Sequence, residues 1–379
     1  MYLLEWRLWK DRIEPHINKC KKNTAHECAK STEKLEIYEE GLDEAIHFNS
    51  VSEQPFVRGP IYAFNDTYME MRCGGSEEKR GIITLLTLGG LCPLTIFWLE
   101  ITYTLVTISI NRLPDFSILT FLLTAFVLNT GFAIIYFYAK YGLQLTRLEI
   151  LTSRHLLIRF NRITQHVHLH RPSYCGGIVT FPWRSTASTS TDSTEDFSGL
   201  GTRLGLLWHP RKTGLPYAEI AFIGKQGQGG SELRDEWEFI RRYMEDGPQS
   251  VPRPRLSTQF PSPIQGFSAQ FEGIGRFFRT SGWLMKLALL MIWPAFVIMG
   301  TAHWVSLMLC WRPRWPKIIR EAGRPGKSIP PITTLSDYPS GIQERLLDNA
   351  DRYGLKPGKR PEKNPLCVRT THQVREGIT

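Results

Sequence analysis

The sequence predicts an α+β integral membrane protein with a transmembrane helical hairpin, a small antiparallel β-rich domain closed by one helix, and a third apolar helix. Three observations carry that prediction. Residues 81–140 of the 379-residue chain hold only Glu100, Arg112, Asp115 and Lys140 as charges, and residues 281–310 hold only Lys286. Between these stretches lies a series of short segments with period-two alternation, broken by Gly, Asn and Pro. That series ends in a helical pattern with one apolar stripe. The whole-chain averages of 42% hydrophobic and 22% charged residues conceal this separation. They do exclude a collagen-like repeat, a disordered acidic tail and a disulfide miniprotein.

Taken in order, residues 1–80 read as a helical, water-soluble region with 12 basic and 15 acidic residues. Tyr2, Trp6, Trp9 and Ile13 recur at helical spacing and stop before Pro15, an aromatic face that either packs on its own region or lies at a membrane interface. KLEIYEEGLDEAI (34–46) reads as a second helix. Residues 81–140 form the hairpin. IITLLTLGGLCPLTIFWL (82–99) is uncharged and long enough for about 30 Å of hydrocarbon at 1.5 Å per residue. The run continues past Glu100, so this helix is either long and tilted or kinked at Pro93. After a turn at Asn111–Phe116, SILTFLLTAFVLNTGFAIIYFYA (117–139) makes the second span. It closes with Tyr136, Phe137, Tyr138 and Lys140, the aromatic-then-basic pattern of a bilayer boundary.

Residues 141–250 read as the β-rich domain. HLLIRF (155–160) turns at Asn161–Arg162 into HVHLHR (166–171), and Gly176-Gly177 leads into IVTFPW (178–183). A polar low-complexity loop follows at 185–198. Further strands are expected at RLGLLWH (203–209) and YAEIAFIG (217–224). A helix over 232–246 closes the unit, with Leu233, Trp237, Ile240 and Met244 as its stripe. Several antiparallel strands followed by one helix resemble a pleckstrin-homology-like sandwich; another small α+β sandwich is the alternative. Residues 251–283 read as a linker, 284–310 as a third transmembrane or re-entrant helix, and 311–379 as a basic tail.

The motifs argue against an enzyme. His166, His168 and His170 project from one strand face, but three such positions span about 13 Å, too far to share one ion. A solvated strand face is the expected reading. GKQGQGG (224–230) lacks the spacing of a phosphate loop. Seven scattered cysteines imply neither a disulfide framework nor a zinc site, and no cofactor is expected. The start has no apolar signal region, so no signal peptide is expected. Within the spans, Glu100, Asn129 and His303 are costly in hydrocarbon unless they face water or a partner, which makes them candidate pore residues.

Basic residues set up a conflict of orientation. Arg147, Arg154, Arg159 and Arg162 follow the hairpin and either bind lipid headgroups or set topology. Nucleic acid is not an expected partner, because these residues adjoin a span. The positive-inside rule then places the N-terminus and the middle region in the cytoplasm. A single third span would export the tail, yet that tail opens with Arg312 and Arg314 and carries 14 basic against 7 acidic residues. Either the third segment does not cross, or insertion follows an unusual route.

The strand pair LLIRFNRITQHVHLHRP, the strand GGIVTFPW and the late apolar segment running into WRPRWP (311–316) resemble bacterial membrane proteins grouped as domain of unknown function 6708. The similarity covers roughly residues 60–320 and brings no catalytic residues. It implies a link to type VI secretion and competition between bacteria. On that basis the expected function is a non-enzymatic antibacterial effector that inserts into a target inner membrane, oligomerises and conducts ions. Its expected partners are the lipid bilayer, further copies of itself, a small membrane immunity protein, and a secretion component or chaperone. The alternative is a resident inner-membrane immunity or scaffold protein that binds a partner through its soluble domain. A lipid-sensing regulator using the basic strand pair is a third reading.

Overall fold

A computed structural model describes residues 2–14, 50–75, 79–111, 118–188, 202–227, 230–271, 274, 278–279 and 281–350. The helix expected over 34–46, most of the loop 185–198, the turn after Asn111 and the tail beyond 350 lie outside these residues. In chain order the elements are α1 (Leu3–Ile13), β1 (Ile61–Phe64), β2 (Tyr68–Cys73), the long apolar helices α2 (Ile82–Ile108) and α3 (Phe121–Thr146), β3 (Leu156–Asn161), β4 (His166–His170), β5 (Val179–Pro182), β6 (Thr186–Ser188) and β7 (Thr202–Trp208). Then come α4 (Pro210–Thr213), β8 (Glu219–Gly227), α5 (Gly230–Glu245), α6 (Pro263–Gln270), the third long apolar helix α7 (Trp283–Met308), α8 (Lys317–Glu321) and α9 (Ser340–Asp348). The chain divides into two units: residues 3–75, 155–259 and 312–379 in one, and residues 1–2, 76–154 and 260–311 in the other.

The first unit is built on an antiparallel sheet of order β5-β4-β3-β2-β8-β7-β6, with β1 paired to β2. The two halves of the sheet join at β2 and β8 through a single register pair, Cys73 with Ile223. The β3–β4 hairpin forms where period-two alternation placed it, and Gln165 takes the positive φ of its turn. Helix α5 follows the last strand and lays Trp237, Phe239, Ile240, Tyr243 and Met244 on one face of the sheet. Trp183 stacks against Trp237 at 5.4 Å and meets the edge of Phe160 at 6.2 Å. Burying side chains of this size contributes about 1.5–3 kcal/mol each, which makes this layer the main core.

Two expectations about this unit are corrected. Residues 61–73 are not helical; β1 and β2 supply strands to the sheet, because Tyr68–Cys73 pairs residue for residue with Leu156–Asn161. The basic tail is not an appendage as far as it is described, since residues 312–350 fold onto the unit with Trp315, Ile319, Leu335 and Leu346 buried. The aromatic helix α1 packs rather than lying at an interface. Trp9 is buried, 5.7 Å from the Tyr338 ring and 6.2 Å from the Tyr217 ring. Arg12 on the same helix reaches Glu219 at 2.9 Å, and Arg171 reaches that carboxylate at 2.8 Å. Burial alone would push Glu219 up, but the charges of Arg12 and Arg171 outweigh it and hold the group at about 2.

Glu236 on α5 has no such compensation. It is fully buried, and its oxygens make no hydrogen bond of good geometry. Desolvation raises it to about 7, with the Arg58 charge offsetting part of the penalty. An acid raised in the folded state stabilises the fold below its unfolded pKa, and that contribution disappears as pH climbs through the folded value. Glu236→Gln is therefore expected to leave stability near pH 4 unchanged and to raise it at pH 8, by roughly 3 kcal/mol at 1.36 kcal/mol per pKa unit. Denaturant melts of both proteins at the two pH values check this; equal gains at both would discard it.

The second unit holds α2, α3, α6 and α7. All three long helices are long and apolar enough to cross a membrane, and each leaves nearly all of its apolar surface uncovered. A wide π-helical turn over Leu85–Leu91 precedes Pro93, so the helix takes up the missing N–H without breaking. Residues 263–270 are not linker but a short helix packed on α7, where a Cβ on Gly266 would lie 2.7 Å from the Gly300 carbonyl oxygen.

Candidate functional site

Helices α2 and α3 run antiparallel, and one aromatic contact sets their register. Trp98 Nε1 donates to the Val127 carbonyl at 2.8 Å, and its ring fills the space that a side chain at Gly131 would need. Glu100 and Asn129 each lie two residues from the contacting positions Trp98 and Gly131, and at about 100° per residue each therefore points away from the partner helix. Both are exposed on otherwise apolar helices. Asn129 donates to the Ala125 carbonyl of its own helix at 2.8 Å, not across to a neighbour. Glu100 has no side-chain partner among the described residues. A carboxylate and an amide thus lie on the outside of the hairpin.

His303 belongs elsewhere. It lies on α7 beside Gly81, is buried, and its Nδ1 is 3.2 Å from Gln270 Nε2. Glu100 lies eighteen residues along α2 from Ile82, about 27 Å at the helical rise. One chain therefore leaves His303 about a helix length from Glu100.

The end of α2 nearest His303 is fixed by a polar knot. The buried Glu149 carboxylate accepts from the N–H groups of Gly81 at 2.7 Å, Ile83 at 3.2 Å and Thr84 at 3.0 Å, and from the Thr84 hydroxyl at 2.5 Å. These are the free amides at a helix start, so the residue that follows α3 caps α2. Arg80 is equally buried and donates to Ser306 Oγ at 2.8 Å, to the Arg154 carbonyl at 2.6 Å and to the Glu149 carbonyl at 3.0 Å, with Cys310 Sγ at 3.0 Å. Arg154 closes the knot by donating to the carbonyls of Leu307 and Cys310, both at 2.9 Å. The start of α2 and the ends of α3 and α7 therefore meet in one place. Sequence reasoning missed Arg80 and Glu149; the one signal was a lone acid within a basic segment.

The basic residues expected to bind lipid or set topology are divided. Arg147, Arg312 and Arg314 are exposed, while Arg154 is spent on the knot. Arg162 is half-buried, its Nε 3.3 Å from the Asp66 carbonyl. Arg159 is enclosed in the sheet unit: it pairs with Glu70 at 2.7 Å, and its guanidinium lies between the rings of Tyr68 at 4.1 Å and Trp315 at 4.8 Å. It cannot reach a headgroup from there.

Strand register explains the rest of that cluster. Glu70, Arg159, His168 and Thr180 are direct neighbours across β2, β3, β4 and β5. Trp315 of the WRPRWP segment lies over this row and donates its Nε1 proton to Glu70 at 2.8 Å. The histidine face is therefore covered, not solvated, because the chain after α7 folds back across it. His168 is fully buried, and burial, then the neighbouring His166 and Arg159, push it down to about 3. Its Nδ1 is 2.9 Å from Thr180 Oγ1, and the His170 Nε2 is 3.1 Å from the Arg314 carbonyl. Among the described residues no group of His, Cys, Asp and Glu is placed to hold a metal ion.

One groove opens on the same unit, about 500 Å³ in volume, with Trp9, Ile178, Ile319, Pro331, Tyr338 and Ile342 in its walls. Compared with known proteins, residues 135–326 match the model of a family of unknown function, DUF6708. That range runs from the end of α3 through β3–β8 and α5 to the covering segment after α7. No curated protein and no solved structure matches the chain.

Proposed function

The chain belongs to the family of unknown function DUF6708, and from that premise we propose that it is a non-enzymatic protein that inserts into a bacterial inner membrane and assembles with further copies into an ion-conducting pore. The observation that carries this reading is the exposure of Glu100 and Asn129 on otherwise apolar helices. Polar side chains exposed at membrane depth are stabilised when equivalent hairpins bring them together around water. The bare surfaces of α2, α3 and α7 support contact with lipid and with other copies. Among the described residues, one chain encloses no polar path. The strand order β5-β4-β3-β2-β8-β7-β6, followed by α5, supports a pleckstrin-homology-like sandwich as the soluble body.

The antibacterial role, delivery by type VI secretion, and an immunity protein or chaperone as partner are proposed on the resemblance. Directing the protein to the periplasm is expected to collapse the membrane potential, read with a potential-sensitive dye, while cytoplasmic expression is much less harmful. Glu100→Leu combined with Asn129→Leu, still found in membranes, is expected to cut depolarisation roughly tenfold or more, because the polar path is removed. Unchanged potential in both compartments sinks the proposal.

A second reading has its own support in the groove beside Trp9 and Tyr338. An apolar cleft of that size suits a peptide segment of a partner, as a resident scaffold or immunity protein would need. It predicts no toxicity from either compartment and co-purification with a cognate protein.

A further inference from the structure

We infer that residues 260–311 enter the bilayer as a two-armed hairpin, with both ends on one face and the turn near Arg279 on the opposite face. The inference rests on the membrane reading above and adds the path of the chain.

The first observation is a set of contacts at matched levels. Gly266 lies against Gly300 and Trp304, Phe271 stacks on Phe296 at 5.4 Å and Trp293 at 5.3 Å, and the Phe278 ring lies 5.7 Å from Lys286 Nζ. As one partner advances from 266 to 278, the other recedes from 304 to 286. The described residues between 263 and 279 therefore accompany α7 in the antiparallel sense over nineteen of its residues, about 27 Å at the helical rise and close to the thickness of a hydrocarbon core. Gly266 and Gly300 allow the close approach that small residues provide between membrane helices.

The second observation is where the ends lie. At the start, Gln270 donates to the Arg80 carbonyl at 3.2 Å. At the finish, Trp311 donates its N–H to the Thr152 carbonyl at 3.1 Å, and Arg154 donates back to the Trp311 carbonyl at 2.8 Å. Both ends belong to the knot that also holds the start of α2 and the end of α3.

A third observation comes from the other unit taken alone. Residues 155–259 precede the hairpin and 312–350 follow it, yet they fold into a single body in which Trp315 bonds Glu70 and Thr180 donates its N–H to Thr333 at 2.8 Å. A bilayer cannot pass through such a body, so the chain between must return to the side it left. The orientation conflict then disappears: Arg147 and Arg312 face the same compartment, and the positive-inside rule is obeyed by both.

Trypsin digestion of full-length protein in right-side-out and inverted bacterial inner-membrane vesicles, with cut sites identified by mass spectrometry, tests this. The exposed Arg211, Lys212 and Lys327 are expected to be cut in one vesicle orientation, and Arg279 only in the other. Cuts at Arg211 and Lys327 from opposite sides overturn the inference, as does cutting of Arg279 from the side of Arg211. Vesicles are first washed in alkaline carbonate. Release of the protein by that wash would overturn the membrane reading itself, which keeps the two failures apart.

Discussion

Arg80→Met is expected to destabilise the apolar unit by roughly 3 kcal/mol, because it leaves several buried acceptors of one guanidinium without their donor. The guanidinium bridges the end of α7 to the turn after α3, and Glu149 caps the start of α2 within the same knot. Both side chains are buried, so the guanidinium is satisfied by the carbonyls and hydroxyl around it and the carboxylate by the amides it caps. Glu149→Gln should cost a similar amount, since the capping amides lose their charged acceptor. The decisive measurement is a double-mutant cycle by denaturant titration in detergent micelles. The Arg80→Met, Glu149→Gln pair should lose clearly less than the two single losses added together, because no lone charge is left behind. Strict additivity would mean that the two groups act independently and that the knot is not a unit.

The second large effect is expected at Trp315. Its side chain packs with Leu157 and Ile319, lies over the Arg159 guanidinium and donates to Glu70. Trp315→Ala should cost about 3–5 kcal/mol through the cavity alone. Trp315→Phe retains most of the volume but leaves a Glu70 oxygen without one of its donors, an expected loss of about 1–3 kcal/mol. The alanine variant carries a separate signature. With the cover removed, water reaches His168, and its pKa should climb from about 3 towards the ordinary histidine value. An NMR titration of the imidazole reads this directly; an unmoved His168 would show that another group seals that face.

The cover over this row explains what the WRPRWP segment does for the fold. It reads in sequence as basic residues after an apolar helix, a pattern that invites a topology or headgroup explanation. Arg312 and Arg314 remain exposed and fit that pattern, but Trp315 directly after them is a core residue. Arg159 shows the same division, for its charge is spent inside the sheet on Glu70. A count of basic residues near a span thus overstates how many can meet lipid.

Local periodicity was enough to foresee the three apolar helices, the β3–β4 hairpin, β5, β7, β8 and the stripe of α5. Each of these is written in side chains a few residues apart: a missing charge over twenty positions, a two-residue alternation, a stripe every three or four residues. Glu100, Asn129 and His303 were legible as polar exceptions for the same reason. Their grouping was not. Trp98 sets the register of two antiparallel helices and so turns Glu100 and Asn129 outward, and His303 is separated from Glu100 by about the length of a helix.

The remaining features depend on partners far apart in the chain. Arg80 and Ser306 are 226 residues apart, and Trp315 and Glu70 are 245 apart. No local pattern marks such pairs, since either residue alone reads as an ordinary charge or aromatic. The side of the membrane is of this kind too. Composition decides which segments can leave water, because that depends on the side chains within one stretch. On the proposed membrane reading, the face to which each intervening segment returns follows from folding, because three separated stretches bury one shared core and must remain together.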